Sequence, residues 1–302
     1  MTRALVVGAG SIGIRHAAVL SELGVEVALV TARSDLARPT FTTIEEGLRE
    51  FDPVYVVVST ATADHARAVE ELRDAGYRGR LMVEKPLAIA PQELAGFSRV
   101  GVGFNLRFHP VIARLNEVLA GKPVHTLEVY VGQHLSQWRP ERPVHEQYSA
   151  SRARGGGVLR DLAHEWDYLS VIFGPVRGLF AQGGRLSDIT VDSDDAWAII
   201  AEFERAPVAS VQFNYLDTQA RRRIVTNFSG GTIEADLVAS TVRINDDLER
   251  LPTERNETYR AMHDAMLRSG DGVASADDAS GTDRLIAMVE ASAASRQWVE
   301  AP

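Results

Sequence analysis

Three groups of residues in this chain combine types and spacings that can do chemistry. Lys85, within Glu84-Lys85-Pro86, offers an amine next to a proline that fixes the backbone around it. Asp161 and His164 follow Gly155-Gly156-Gly157, whose lack of side chains would let a ligand approach the backbone closely. Three apart on one helix, Asp161 and His164 would share a face, as would His164 and Asp167. A carboxylate beside an imidazole orients it and favours its protonated form. Gly8-Ala9-Gly10-Ser11-Ile12-Gly13 adds a G-x-G-x-x-G run, which can cradle a pyrophosphate. Hydride transfer at a carbinol carbon needs a bound dinucleotide and a group that moves the hydroxyl proton, and a tuned lysine or histidine does the second job. Cradle, lysine and Asp/His pair, in that order, point to a hydride-transfer site.

The elements that must position these groups follow from the hydropathy. Residues 4–7 are a short apolar run ending in Gly8, as expected of a central parallel strand. Residues 11–23 carry a helical pattern closed by Gly24. Strands are predicted over 25–30, 54–58, 80–83 and 100–104, with helices over 43–50 and 63–75. This alternation predicts a doubly wound parallel sheet, whose ligands bind beyond the carboxyl ends of the strands. Gly8, Ser59-Thr60, Lys85 and Asn105 all fall at that edge. Gly8 permits the tight turn, Gly10 lets the backbone approach phosphate, and Gly13 allows close helix–strand packing, with the helix N-terminus facing the ligand.

Beyond about residue 121 the rhythm changes. Strands are predicted over 124–131, 196–203, 208–215, 223–228 and 232–236, with one helix over 159–173 between them and two more, 257–268 and 283–298, after them. The expectation is an α+β domain with a large, mostly antiparallel open-faced sheet over 122–302, after a Rossmann domain over 1–121, divided at Gly121-Lys122-Pro123. On the helix over 159–173, Leu162, Trp166 and Leu169 are expected in the core and Glu165 on the solvated side, and Arg221-Arg222-Arg223 is expected to be a solvated charge run.

Composition narrows the classes. A formal charge of −9 without a basic half argues against nucleic acid. The absence of cysteine removes disulfides, thiolate nucleophiles and cysteine-ligated metals. His109, His125, His134 and His145 are scattered singly, so no metal is expected. No apolar run approaches the roughly 18 residues that suggest a membrane span. The apolar start is broken by Gly8, Gly10 and Gly13 and followed by Arg15-His16, which fits a buried strand rather than a signal peptide. A cytoplasmic protein is expected.

The end of the second strand bears on the dinucleotide. An acidic residue there would bind the ribose 2′-hydroxyl and repel a 2′-phosphate. The chain instead reads Val30-Thr31-Ala32-Arg33-Ser34, with Asp35 too late to be the strand-end residue. Arg33, helped by Thr31 or Ser34, could hold a 2′-phosphate, so NADP(H) is expected in preference to NAD(H). The segment 133–154 should frame the substrate pocket, where Trp138 could stack on a sugar face and Arg152 and Arg154 could bind an anionic group.

These motifs resemble those of the glucose–fructose oxidoreductase/inositol dehydrogenase (Gfo/Idh/MocA) family. The likeness is carried by residues 8–16 (GAGSIGIRH), 59–65 (STATADH), 84–87 (EKPL), 105–110 (NLRFHP), 155–167 (GGGVLRDLAHEWD) and 230–236 (GGTIEAD), and spans nearly the whole chain. It implies a Rossmann domain followed by an open-faced sheet domain that pairs subunits, as a dimer or tetramer, through its exposed face. It implies oxidation or reduction, with NAD(P), of a hydroxyl carbon in a sugar, cyclitol or nucleotide-sugar. By this resemblance Lys85 contacts the reacting hydroxyl and relays its proton, His164 is the acid/base, and Asp161 positions substrate or histidine. Ser11, Ile12, His65, Glu84 and Lys85 join the cofactor contacts, Asn105 and Arg107 line the nicotinamide and substrate side, and Tyr148 joins the substrate contacts. Many relatives space the pair Asp-x-x-x-His, whereas here it is Asp-x-x-His. The stretch from Pro86 to Asn105 is shorter than in those relatives, so one helix of the first domain is expected to be reduced. Two rival readings are a reductase of a C=N or conjugated bond in a non-sugar metabolite and a non-catalytic dinucleotide sensor.

Overall fold

The computed structural model describes residues 2–302. They form two units, one of residues up to Phe108 with Glu254–Gly281, the other of His109–Thr253 with Thr282–Pro302.

In the first unit, strands β1 (Arg3–Val7), β2 (Glu26–Val30), β3 (Thr40–Phe41), β4 (Tyr55–Val58), β5 (Arg80–Val83) and β6 (Arg99–Val102) make a six-stranded parallel sheet in the order β3-β2-β1-β4-β5-β6. Buried on both faces, these strands are near-continuous apolar runs, as a parallel sheet requires. The order reverses between β1 and β4, which is where such sheets open a ligand crevice. Register aligns the strand ends: Val7 pairs with both Val30 and Val58, and Val58 with Val83. Gly8, Thr31, Ser59 and Glu84 therefore stand level, one residue past the last pairs. Helices α1 (Ser11–Glu22), α2 (Ile44–Phe51) and α3 (His65–Asp74) link the strands. Between β5 and β6 only a 3₁₀ turn, Pro91–Leu94, takes the place of a helix.

The expected division at residues 121–122 is not where the units part. Helix α4 (Pro110–Leu119) belongs to the second unit, and α7 (Glu257–Leu267), far along the chain, belongs to the first. The cause is burial: Met262 and Met266 of α7 are fully buried in one cluster with Ala4, Val6, Leu29 and Val57. Hydropathy along the chain cannot reveal a helix that returns to an earlier core.

The second unit is built on nine strands in the order β14-β13-β12-β11-β7-β10-β9-β8-β15. Five match expectation: β7 (Val124–Gly132), β9 (Ala196–Phe203), β10 (Ala206–Asn214), β11 (Arg221–Phe228) and β12 (Gly231–Asp236). Four were not foreseen: β8 (Val176–Gly184), β13 (Thr241–Ile244), β14 (Asp247–Arg250) and β15 (Val299–Glu300). All pairings are antiparallel except β7 with β10 at the sheet's centre. Along β9, Trp197, Ile199, Ala201 and Phe203 face the core while Ala198 and Ile200 are exposed. Trp166 packs edge-on to Phe213, and Phe173 edge-on to Phe203. The opposite face stays open, with Phe180, Ile200 and Val208 exposed.

Two helices depart from their expected bounds. The run expected over 159–173 is two helices, α5 (Val158–Asp161) and α6 (Ala163–Phe173), parted at Leu162 (φ −92°, ψ 27°). The last helix, α8, covers Ala276–Ser295 rather than 283–298. It starts early because Ser275 and Asp278 exchange hydrogen bonds, the Asp278 N–H donating to Ser275 Oγ and the Ser275 N–H to Asp278 Oδ2. This reciprocal pairing is a capping box written S-x-x-D.

Candidate active site

At the strand ends of the first unit, α1 begins at Gly10 without a side-chain cap and with no acidic residue in its first turn. Its leading N–H groups are therefore open to an anion, which the helix dipole favours. A Cβ on Gly10 would meet nothing within 4 Å, so the approach to that backbone is clear. Gly13 differs: a Cβ there would collide with the Gly8 carbonyl and lie 2.7 Å from Ser59 Oγ. Ser59 is buried, its hydroxyl donating to the Val7 and Gly8 carbonyls, so it packs the loop from within. Thr60 Oγ1 is buried with no hydrogen-bond partner among the described residues, a polar atom that a bound nucleotide would satisfy. An uncapped helix start, an open Gly10 and an orphaned hydroxyl together fit a dinucleotide.

Arg33 lies beside this loop. Its guanidinium donates to both oxygens of Asp35, at 3.1 and 2.8 Å, and to the Ala9 carbonyl at 3.2 Å. Thr31 Oγ1 accepts the Arg33 N–H. Asp35, set aside as too late in the sequence, is thus the counter-ion of the cation expected to read the 2′-position.

Glu84 and His65 turn inward. Glu84 is 8% exposed; Oε1 accepts from His16 Nε2 at 2.8 Å and Oε2 from the Lys85 N–H at 3.1 Å. His65 is buried with Nδ1 3.2 Å from the Pro86 carbonyl, and burial lowers its pKa against the opposing effect of nearby backbone. Both brace the backbone of the Glu84-Lys85-Pro86 turn, whose Lys85–Pro86 bond is cis. Lys85 is half-buried. Asn105, also buried, donates from Nδ2 to Thr258 Oγ1 at 2.6 Å, and Arg107 pairs with Asp278 at 3.2 Å.

In the second unit, Asp161 ends α5 and His164 lies in the first turn of α6. The break at Leu162 corrects the single-helix face on which they were expected to sit. Tyr215 Oη donates to Asp161 Oδ2 at 2.6 Å. Burial, and then the Asp161 charge, pushes the Tyr215 phenol well above its usual value, so it stays a donor. Trp138 stands edge-on to Tyr215 at 5.4 Å, its indole N–H bonded to the Gln133 carbonyl at 3.3 Å. Trp138, Tyr215 and Asp161 therefore form one connected wall. Tyr215 was missed from sequence because it lies just past a strand end, outside any motif.

The triple glycine serves the fold rather than leaving an open path for a ligand. Gly157 has φ +126°, and a Cβ there would collide with Asp194 Oδ1; a Cβ on Gly156 would lie 2.6 Å from the Ser149 carbonyl. Asp194 Oδ2 accepts the Leu159 N–H and the Trp197 indole N–H, fixing the start of α5. Tyr148 Oη donates to the Gly155 carbonyl at 2.7 Å, and Arg154 to the Gln147 and Glu146 carbonyls. Arg152 is exposed and is held by its backbone N–H on Asp192.

Glu165 overturns its expectation. It is fully buried and paired with Arg222 Nε at 2.7 Å, with Tyr168 Oη at 3.4 Å. Arg222, the middle of the run expected to be solvated, reaches inward from an inner strand to meet it. Leu162, Trp166 and Leu169 are buried, as expected.

The model for the GFO/IDH/MocA C-terminal domain matches residues 120–234, and that for pyridine nucleotide-disulphide oxidoreductase matches residues 3–49. With no cysteine in the chain, the second match bears on nucleotide binding and not on disulphide chemistry. No curated protein matches the chain by sequence. Among solved structures, GenD2 from gentamicin A biosynthesis, in complex with NAD, is 24% identical with a TM-score of 0.80, covering 100% of this chain and 96% of that one. Levoglucosan dehydrogenase in complex with NADH is 18% identical with a TM-score of 0.84, covering 100% and 99%. An oxidoreductase domain protein from Kribbella flavida is 20% identical with a TM-score of 0.82, covering 100% of both chains. A Rossmann-like parallel sheet and a second, mostly antiparallel sheet bearing the matched domain define the fold that this chain shares with these structures. Over residues 120–234 the chain is similar to the GFO/IDH/MocA C-terminal domain.

Among the described residues, no group of three or more metal-binding side chains could hold an ion. No described helix is long and apolar enough to cross a membrane.

Proposed function

We propose that the protein transfers a hydride between a nicotinamide dinucleotide and a secondary alcohol or ketone carbon of a sugar, cyclitol or nucleotide-sugar. The observation that carries this is the level row of strand ends, where the phosphate-type loop and Lys85 share one edge. The substrate class is supported by levoglucosan dehydrogenase, a structural neighbour also solved with NADH and L-sorbose.

In this reading α1 and the Gly10 backbone take the pyrophosphate, and the nicotinamide, when bound, accepts or delivers the hydride. Lys85 donates a charged hydrogen bond to the reacting oxygen and stabilises negative charge on it as the C–H bond breaks. His164 takes the hydroxyl proton in the oxidative direction and returns it in the reductive one. Asp161, bonded to Tyr215, supports the imidazole. Trp138 supplies an apolar face for the sugar, with Tyr148, Arg152 and Arg107 as further substrate contacts. Consumption of NADPH and NADH against a panel of keto-sugars, inosose and nucleotide-linked ketoses tests the reading. Turnover confined to imines or conjugated carbonyl compounds would replace it with the reductase alternative.

NADP(H) is the preferred dinucleotide in this proposal. A 2′-phosphate, carrying nearly twice the charge of a carboxylate, would draw Arg33 away from the exposed Asp35. The Asp35 carboxylate at the same place favours NAD(H) as a second reading, as do the neighbours solved with NAD or NADH. The open sheet face, with Ile200 and Val208 at least half exposed, supports pairing of two copies there, and light scattering in solution tests this. The proposal places the protein in the cytoplasm.

A further inference from the structure

Beneath the strand ends of the first unit, four buried side chains form one unbroken line of hydrogen bonds. Tyr55 Oη lies 2.9 Å from His263 Nδ1, His263 Nε2 lies 2.8 Å from His16 Nδ1, and His16 Nε2 lies 2.8 Å from Glu84 Oε1. The other Glu84 oxygen accepts the Lys85 N–H at 3.1 Å. Tyr55, His16 and His263 are wholly buried, and the chemistry proposed above uses none of them.

A neutral imidazole has one N–H and one bare nitrogen, so the line can be filled in few ways. In one, Tyr55 O–H donates to His263, His263 Nε2–H to His16, and His16 Nε2–H to the Glu84 carboxylate. An extra proton, on Glu84 or on His16, reverses both histidine links and turns Tyr55 O–H toward Met82 Sδ at 3.5 Å, a weak acceptor. The first arrangement ends on the strongest acceptor present and leaves no link unmade. Burial, the largest cause, lowers the His263 pKa far below its usual value, which agrees with a neutral ring. Tyr259, edge-on to His16 at 5.5 Å and carrying Arg15 over its own ring, completes the surroundings. A Cβ at Gly103 would stand 2.6 Å from Glu84 Oε1, so the bare glycine gives the carboxylate its room.

We infer that Tyr55, His263 and His16 form a one-way donor line that fixes the Glu84 carboxylate under the Lys85 amide, and that all three are positioning residues for Lys85. The line joins β4, α7 and α1 to the end of β5, so a helix far along the chain helps to set the backbone of the proposed catalytic lysine. Its consequence for turnover rests on that role of Lys85, whereas the tests below need no substrate, so the two can fail separately.

Nitrogen-15 spectra of histidine-labelled full-length protein read the tautomers directly, with His16→Gln and His263→Gln assigning the two rings. Both rings are expected with Nε2 protonated and Nδ1 bare at neutral pH. A protonated Nδ1 in either ring overturns the donor line. Positioning is read by acetic anhydride labelling, because Lys85 and Lys122 are the only lysines among 32 basic residues and Lys122 is an internal control. His16→Leu and His263→Leu are expected to change the Lys85-to-Lys122 labelling ratio severalfold. The glutamine variants, whose amides donate and accept at the same two places, should keep the native ratio. An unchanged ratio in the leucine variants, or an equal change in both sets, overturns the positioning role. Should the leucine variants not fold, Tyr55→Phe, which deletes only the first donor, is read in the same way.

Discussion

Tyr215 donates its hydroxyl to Asp161 Oδ2 across 2.6 Å, joining the end of α5 to the loop that follows β10. Hydrogen bonds to charged groups contribute roughly 1.5–3 kcal/mol. Tyr215→Phe should therefore lower kcat about tenfold or more, the factor that free energy implies, and leave dinucleotide affinity unchanged. Steady-state kinetics beside a dinucleotide titration decide the matter, and unchanged kcat would remove Tyr215 and Asp161 from the chemistry.

Lys85→Ala should separate binding from turnover. The proposed pyrophosphate contacts are backbone N–H groups of Gly10 and α1, which the substitution leaves in place, so the Kd for dinucleotide should hold. Loss of the group proposed to contact the reacting oxygen should cost about 10²–10⁴-fold in kcat. Fluorescence titration with NAD(P)H and single-turnover rates give the two numbers independently.

The Arg33–Asp35 pair yields a selectivity prediction. Arg33→Ala should weaken NADPH about tenfold or more, by loss of a charge-assisted contact, and NADH little. Asp35→Asn should improve NADPH relative to NADH by freeing the guanidinium. If neither variant moves the NADPH-to-NADH ratio, the pair does not read the 2′-position.

Arg222→Ala should destabilise the second unit more than a surface substitution does. It leaves the fully buried Glu165 carboxylate without its cation, a loss of about 3 kcal/mol by analogy with broken buried pairs. Thermal or urea unfolding measures it; a change under about 0.5 kcal/mol, ordinary for surface sites, would show that Arg222 does not support Glu165.

Stability should fall on acidification below pH ~6.5, the unfolded histidine value. His263, with its folded pKa lowered far below that value by burial and then by His16, and His65, lowered by burial, resist protonation in the fold. The unfolded chain then binds protons that the native protein does not. Each group can contribute a slope of up to about 1.4 kcal/mol per pH unit. Their contribution is fully present above the unfolded pKa and is lost as pH drops toward the folded one. Urea midpoints at pH 7, 6 and 5 should show the decline, and His263→Gln should make it shallower.

Much of the first unit was legible because parallel strands are bare apolar runs and the phosphate loop is a local motif. Gly8, Gly10 and Gly13 carry their reasons within six residues. The second unit was read less well where strands are short or polar: Asp247–Arg250 has no apolar alternation and is held by its pairing with β13. Glu165 looked solvated because its partner, Arg222, stands on a strand that sequence spacing cannot bring near. The inward turn of Glu84 was hidden for the same reason, since His16, His263 and Tyr55 come from three separate places in the chain. Local motifs name the reactive groups; the side chains that hold them still come from remote segments.

The kink at Leu162 has an evolutionary corollary. On one continuous helix, adding a residue between Asp161 and His164 would swing the imidazole roughly 100° around the axis relative to the carboxylate. Because α5 stops at Asp161 and α6 starts afresh at Ala163, the joint between them can absorb such an insertion while Asp161 keeps its bond to Tyr215. A chain with either spacing could then present the same two side chains, so the count of residues between Asp161 and His164 says little by itself about how the carboxylate and the imidazole are placed.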